Sequence, residues 1–181
     1  METTTLSLEQ LRFPVGRFEY PSVYQTALTQ KSIDVIADLP AQLRAAVEGL
    51  TDEQLDTPYR PGGWTIRQVV HHLPDSHMNS YTRFRLALTE ERPVIKPYDE
   101  NGWAQLPDAQ TAPIQSSLQL LDALHQRWVL LLRSMTFPQW HRTFVHPEGG
   151  EMFLFQTVGM YDWHSRHHLA HITTLKTRMG W

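Results

Sequence analysis

The chain has 181 residues, a formal charge of −3, 41% hydrophobic residues and six tryptophans, the size of one ordinary domain with a substantial buried core. Its 16 Lys and Arg residues are scattered rather than gathered into a patch, so the electrostatic footprint of a nucleic-acid binder is missing. Cysteine is absent, which excludes disulfides, thiolate metal sites and a cysteine nucleophile and leaves His, Asp and Glu as the metal-binding side chains.

A single domain over residues 1–181 is expected, acting on a small molecule or pairing with a second copy of itself. The opening Met-Glu-Thr-Thr-Thr-Leu-Ser lacks the basic and apolar regions of a leader. No stretch approaches the ~20 apolar residues of a membrane span, so no membrane partner and a cytoplasmic location are expected.

In chain order, the first helical pattern places Ile36, Leu39, Leu43, Val47 and Leu50 on one face, with Pro40 as a kink. Thr51 to Gln54 reads as a capping box that opens a short helix ending before Pro61-Gly62-Gly63. A second long helix starts at Thr65, where Gln68 completes another capping box. It carries Ile66, Val70, Leu73, His77, Tyr81, Phe84 and Leu88 on one stripe. A parallel stripe of His72, Asp75, Ser76, Asn79 and Arg83 is entirely polar, and Pro74 should bend the helix there.

Residues 90–113 hold four prolines and no strong period, a long connection able to cross the length of a bundle and line a site. A third helix over about 114–135 buries Leu118, Leu121, His125, Trp128, Leu132 and Met135. Residues 142–146 and 152–155 flank Pro147-Glu148-Gly149-Gly150 as a small hairpin. A fourth helix over about 156–179 places Tyr161, His164, His168, His171 and Leu175 on one face. The fold class expected is an all-α four-helix bundle with a long crossover loop and a hairpin before the last helix.

Ten histidines stand out, four of them between positions 164 and 171. His164 and His168 are one turn apart, with Cβ atoms about 6 Å from one another, so one helix face can offer two imidazoles to one ion. The third ligand must come from another helix, and the inward candidates are His72, His77 and His125. His72 shares its face with polar groups able to orient a ligand or touch a substrate, whereas His77 and His125 fall on apolar stripes, where a hydrogen-bonded core histidine is the plainer reading. His71 and His167 each sit next to a proposed ligand and so point about 100° away, toward solvent or a helix neighbour, which reads both as non-ligands. His171 could replace His164 or support the site from behind. A zincin motif would need Glu after the first histidine of the pair, and Ser165 stands there. Asp75, Asp99, Glu148 and Asp162 are the carboxylates within plausible reach.

The stretches Pro-Gly-Gly-Trp-Thr-Ile-Arg-Gln-Val-Val-His-His-Leu at 61–73 and Trp-His-Ser-Arg-His-His-Leu-Ala-His at 163–171 resemble the YfiT-like branch of the DinB family. The likeness extends to Lys-Pro-Tyr-Asp-Glu at 96–100 and the closing Arg-Met-Gly-Trp, and so covers nearly the whole chain. It implies a four-helix bundle that binds one zinc or nickel ion, matched here by His72, His164 and His168. It also implies a metal-dependent hydrolase, or in several relatives a thiol transferase, and a homodimer. Three neutral imidazoles leave a divalent ion its full charge and an open position, where a bound water can ionise near a pKa of ~7 or a thiol can bind as thiolate. Asp75, Asn79 and Arg83 are the side chains expected to position what binds there. A non-catalytic metal-binding module is the remaining alternative.

Overall fold

The computed structural model describes residues 6–181. The first five, on which part of the leader reading rests, lie outside the described residues. In chain order the elements are α1 (Leu8–Arg12), α2 (Thr26–Val47), α3 (Asp52–Leu55), α4 (Ile66–Thr89), α5 (Glu100–Trp103), α6 (Pro107–Thr111), α7 (Gln115–Ser134) and α8 (Phe137–Trp140). The antiparallel strands β1 (Thr143–His146) and β2 (Gly150–Phe153) follow, and α9 (Leu154–Met179) closes the chain.

Four long helices pack in the cyclic order α2, α7, α4, α9. The bundle, the hairpin and the capping boxes at Thr51/Gln54 and Thr65/Gln68 agree with the sequence reading. Successive long helices α2 and α4 face each other across one diagonal, and α7 and α9 across the other, so the connections carrying α3 and α8 with the hairpin run across the bundle ends. Several boundaries need correction. α2 begins ten residues before Ile36 and releases Leu50, while Leu154 and Phe155 belong to α9 rather than to a strand. Residues 90–113 are not irregular throughout: α5 and α6 form there and pack back on α4, a local order too short for helical period to reveal. Tyr81 and Leu88 are only half-buried.

The core is divided. One apolar cluster gathers Ile33, Ile36, Phe84, Trp128, Leu132, Phe144 and Val158. The other gathers Leu39, Leu43, Ile66, Val70, Leu73, Leu121 and Ile172. On three of the four long helices the residues between the two clusters are buried histidines: His72 and His77 on α4, His125 on α7, and His167, His168 and His171 on α9, with half-buried His164 among them. A polar belt thus crosses the bundle at mid-height, flanked by both apolar clusters.

One polar fastening lies outside the sequence reading. Buried Arg67 of α4 donates to Asp56 at 2.6 Å, to Asp52 at 2.7 Å and to the Ala112 carbonyl at 3.1 Å, tying two connections to one helix. Removing the guanidinium leaves a buried hole and takes one of two hydrogen bonds from that carbonyl, which His71 also serves, whereas the carboxylates face water. Arg67→Ala should therefore lower unfolding free energy by ~2–3 kcal/mol, and Asp52→Asn by under ~1 kcal/mol. Urea titration checks the difference; equal effects would contradict it.

Candidate metal centre

His72, His164 and His168 each offer a nitrogen such that the three lie within 4.8 Å of one another, and they are the one such cluster of metal-binding side chains among the described residues. His72 comes from α4 and the other two from α9, a neighbouring helix in the bundle. Trp64, delivered by the Pro61-Gly62-Gly63 turn, packs its indole against His72 at 4.7 Å between ring centroids and lies nearly parallel to His168.

The orientation of His164 follows from a chain of hydrogen bonds that begins at a proline. Pro40 has no N–H, so the helical partner of the Ile36 carbonyl is missing. His125 takes that place: its Nδ1–H donates to the Ile36 carbonyl at 2.6 Å. Burial holds His125 neutral, down to about 4, so its Nε2 is a lone pair and accepts from His77 Nδ1–H at 2.9 Å. His77 is likewise held well below the ordinary histidine range by burial and then by His125 and His164. Its Nε2 therefore accepts from His164 Nδ1–H at 3.2 Å. Each tautomer dictates the next, and the last consequence is that His164 presents a Nε2 lone pair.

That lone pair meets His72 Nε2 at 3.2 Å. Without a cation, one proton on His72 bridges the two nitrogens; with one, both can point lone pairs at it. Imidazole nitrogens on a tetrahedral ion with bonds of 2.0–2.1 Å stand about 3.3 Å apart, so the spacing fits such an ion. Burial depresses His72 to about 4 and holds His164 and His168 well below their ordinary range, so all three are in the neutral form that binds metal. Ser76 Oγ lies 3.4 Å from His164 Nε2 and 3.2 Å from the Tyr161 hydroxyl, which itself donates to the Ser76 carbonyl at 3.1 Å.

The other histidines divide by the same accounting. His71 turns to a helix neighbour, not to solvent: its Nε2–H donates to the Ala112 carbonyl at 3.1 Å and its Nδ1 accepts from Ser117 at 2.7 Å, which leaves nothing for an ion. His167 stacks on Trp163. His171 stacks on Tyr59 and donates Nε2–H to the Arg12 carbonyl at 3.2 Å, behind the triad rather than in place of His164. His77, read from sequence as a core histidine, orients a member of the triad. No spacing rule reveals this, because the contact joins α4 to α9 and depends on a carbonyl freed in α2.

Two cavities reach the triad. One, about 600 Å³, is bordered by His164, Ser76, Tyr161, Arg83, Tyr98, Asp99, Glu100, His146 and Glu148. The other, about 440 Å³, is bordered by His72, His164 and His168 with Trp64, Glu100 and Arg12 of α1. Among the described residues, Glu100 and His164 alone border both. Asp99 caps α5 by accepting from the Gly102 N–H at 2.9 Å, which sets Glu100 in the first turn. His146 Nδ1 accepts from the Glu148 and Gly149 N–H groups, folding the hairpin tip that carries Glu148. Of the three side chains expected to position a substrate, Arg83 borders the larger cavity with His164, whereas Asp75 and Asn79 border neither. Asn79 donates to the Asp75 carbonyl of its own helix. Burial, with Asp108 of α6 beside it, raises the Asp75 carboxyl to about 6. Asp162 faces elsewhere, bonded to Ser32 and Arg166. Glu100 was missed in the sequence because nothing in an aperiodic loop distinguishes one carboxylate from another.

The depressed histidines make acid stability a readout of the belt. Unfolded histidines take up protons near pH 6.5, while His72, His125 and His171 in the folded protein wait until about 4 and His167 until about 3. Between those values the unfolded state binds more protons, so stability rises with pH and is lost as pH falls from about 6.5 toward 4, with a slope of ~1.4 kcal/mol per pH unit per histidine. Thermal melts in chelator should show the midpoint dropping steeply from pH 7 to 5; a flat profile would contradict neutral buried imidazoles.

With this geometry in hand, comparison with known proteins places the chain. A family model described as the DinB superfamily matches residues 36–172. YfiT of Bacillus subtilis (strain 168) is 53% identical over 172 residues, covering 94% of this chain and 97% of its own. A protein of Bacillus mycoides (strain KBAB4) is 52% identical over 174 residues, covering 96% and 100%. Both are named as candidate metal-dependent hydrolases. The solved structure of B. subtilis YfiT, described as having an unusual four-helix bundle topology, is similar with a TM-score of 0.93 over 95% of this chain and 99% of that one. The four-helix bundle protein TT2238 is similar with a TM-score of 0.54 at 20% identity, over 81% of this chain and 98% of its own, a likeness of fold alone. The chain belongs to the DinB superfamily, in its YfiT-like branch.

Proposed function

We propose that this protein is a metal-dependent hydrolase of small ester or amide substrates, with one divalent transition-metal ion, zinc before nickel, held by His72, His164 and His168. The observation that carries the reading is the convergence of three neutral imidazoles beside two open cavities, one of them oriented through a relay that ends on a backbone carbonyl. Its relatives' names support the same class. Bound there, an ion with neutral ligands and an open position supplies Lewis-acid polarisation of a carbonyl and acidifies water.

The chain's own residues do the rest. His77 holds the Nδ1 proton of His164, so His164 Nε2 stays a donor of electrons throughout turnover. Trp64 covers one side of His72 and His168 and keeps bulk water from them. Glu100, at the border of both cavities, is the carboxylate placed to take a proton from an attacking water and return it to a leaving group. Arg83 is placed to orient an electron-rich end of a substrate in the larger cavity. Asp75 and Asn79 act at most indirectly, through the backbone of α4.

One observation favours a second reading, metal-dependent transfer of a low-molecular-weight thiol to an electrophile. The ligand cluster contains histidines only among the described residues, and a thiol, more acidic than water, needs no carboxylate against the ion to become a nucleophile. The protein is offered an activated ester alone, then a small thiol with a monohalobimane. Hydrolysis should proceed without thiol and fall at least about tenfold with Glu100→Gln; turnover that requires the thiol would overturn the hydrolase reading. Activity in neither assay, with metal present, would favour a metal-binding module.

The protein as purified should carry one transition-metal ion per chain. His72→Ala, His164→Ala and His168→Ala should each abolish stoichiometric occupancy, and His77→Phe should weaken binding about 10–100-fold, while His71→Ala leaves it unchanged. Elemental analysis after gel filtration reads all five; a loss in His71→Ala equal to the others would contradict the assignment. The homodimer expected from the resemblance is part of the proposal, and exposed Leu130, Phe137 and Val94 give it apolar surface to cover. Light scattering should return twice the 21.1 kDa chain mass; a monomer at micromolar concentration would contradict it.

A further inference from the structure

The smaller cavity carries features that metal binding does not use. Seven buried side-chain polar atoms lack a partner among the described residues, and four of them, Arg60 Nε, His167 Nδ1, His168 Nδ1 and His171 Nδ1, belong to residues that border this one cavity. Buried polar atoms are nearly always paired, so such a concentration sets the wall of this cavity apart from the rest of the described residues. His168 belongs to the triad, but Arg60, His167 and His171 do not.

The charges there also lack counter-ions. Arg12 and Arg60 both border the cavity, and neither forms an ion pair among the described residues, while the other charged neighbour is Glu100. The lining therefore carries one net positive charge from fixed ions. The turn is shaped around Arg60: its guanidinium donates to the Pro61 carbonyl at 3.0 Å, and a Cβ on Gly63 would come within 2.7 Å of Arg60 Cγ. Arg12 is delivered by the N-terminal segment, which α9 fastens through His171 to the Arg12 carbonyl and Trp163 Nε1–H to the Gly16 carbonyl.

We propose that this cavity is a carboxylate-binding subsite, in which Arg12 and Arg60 hold the anionic end of a substrate whose reacting group lies at the histidine triad. The idea rests on the reading of the triad as a metal centre and adds a substrate class to it. A planar guanidinium fork matches a carboxylate, and in the chelated protein, where the side chains alone set the charge, one net positive charge suits a monoanion better than a phosphate dianion. The cavity volume of about 440 Å³ admits a small organic acid.

The test is calorimetric titration with benzoate, its uncharged isostere benzamide and inorganic phosphate, on the protein as purified and after chelation. Benzoate should bind one per chain in both forms. Arg60→Gln and exposed Arg12→Gln should each weaken it about tenfold or more, while Arg85→Gln, which removes an exposed charge on α4, should not. Benzamide should bind about tenfold more weakly than benzoate. Benzoate binding that vanishes on chelation and ignores both arginine variants would place the anion on the ion and overturn the subsite, leaving the metal centre intact. Equal binding of benzamide, tighter binding of phosphate by the chelated protein, or no saturable binding in either form would also overturn it. Because the chelated protein is one arm, the subsite can stand or fall separately from the metal, whose occupancy is measured directly.

Discussion

The structure turns on two imidazole nitrogens held 3.2 Å apart with their lone-pair directions converging, His72 Nε2 and His164 Nε2. Such a pair deep in a bundle is tolerable only with a proton or a cation between them, and the protein prepares for the cation. His164 cannot relax by exchanging tautomers, because its Nδ1 proton is engaged by His77, which is engaged by His125, which ends on the Ile36 carbonyl. The relay spans α9, α4, α7 and α2, so all four walls of the bundle set the direction of one lone pair. Preorganisation of this kind lets a site bind an ion without first paying to orient its ligands.

The same belt explains why the core is divided. Two apolar clusters, one around Trp128 and Phe84 and one around Leu73 and Leu121, lie on either side of the histidines. Burial between them keeps the imidazoles neutral and is the first cause of depression for His72, His77, His125, His164 and His168. An acidic excursion sets the two roles of the belt against each other, since protons that destabilise the fold also compete for the ligand nitrogens.

Much of this was legible in the sequence, for definite reasons. Helical period reports which residues share a face, so the one-turn spacing of His164 and His168 and the polar stripe at His72 identified three side chains that the fold brings together. Capping boxes at Thr51 and Thr65 carry local hydrogen bonds that any chain would form there. What escaped was nonlocal. Pro40 read as a kink, and its larger consequence, an orphan carbonyl taken by a histidine 89 residues away, requires knowing that α7 packs on α2. Asp75 and Asn79 shared the right stripe but line neither cavity, whereas Glu100, Arg60 and Arg12 come from segments with little or no period and border the triad's surroundings. Periodicity resolves faces of long helices and is silent about loops that fold over them.

The most direct test of the central claim is X-ray absorption at the edge of the metal that the purified protein carries. Three imidazole nitrogens at about 2.0–2.1 Å, with their outer-ring scattering, should make up the protein's share of the ion's shell, and one imidazole should be lost in His164→Ala. A shell of oxygen atoms, or an imidazole count unchanged by that substitution, would contradict the account.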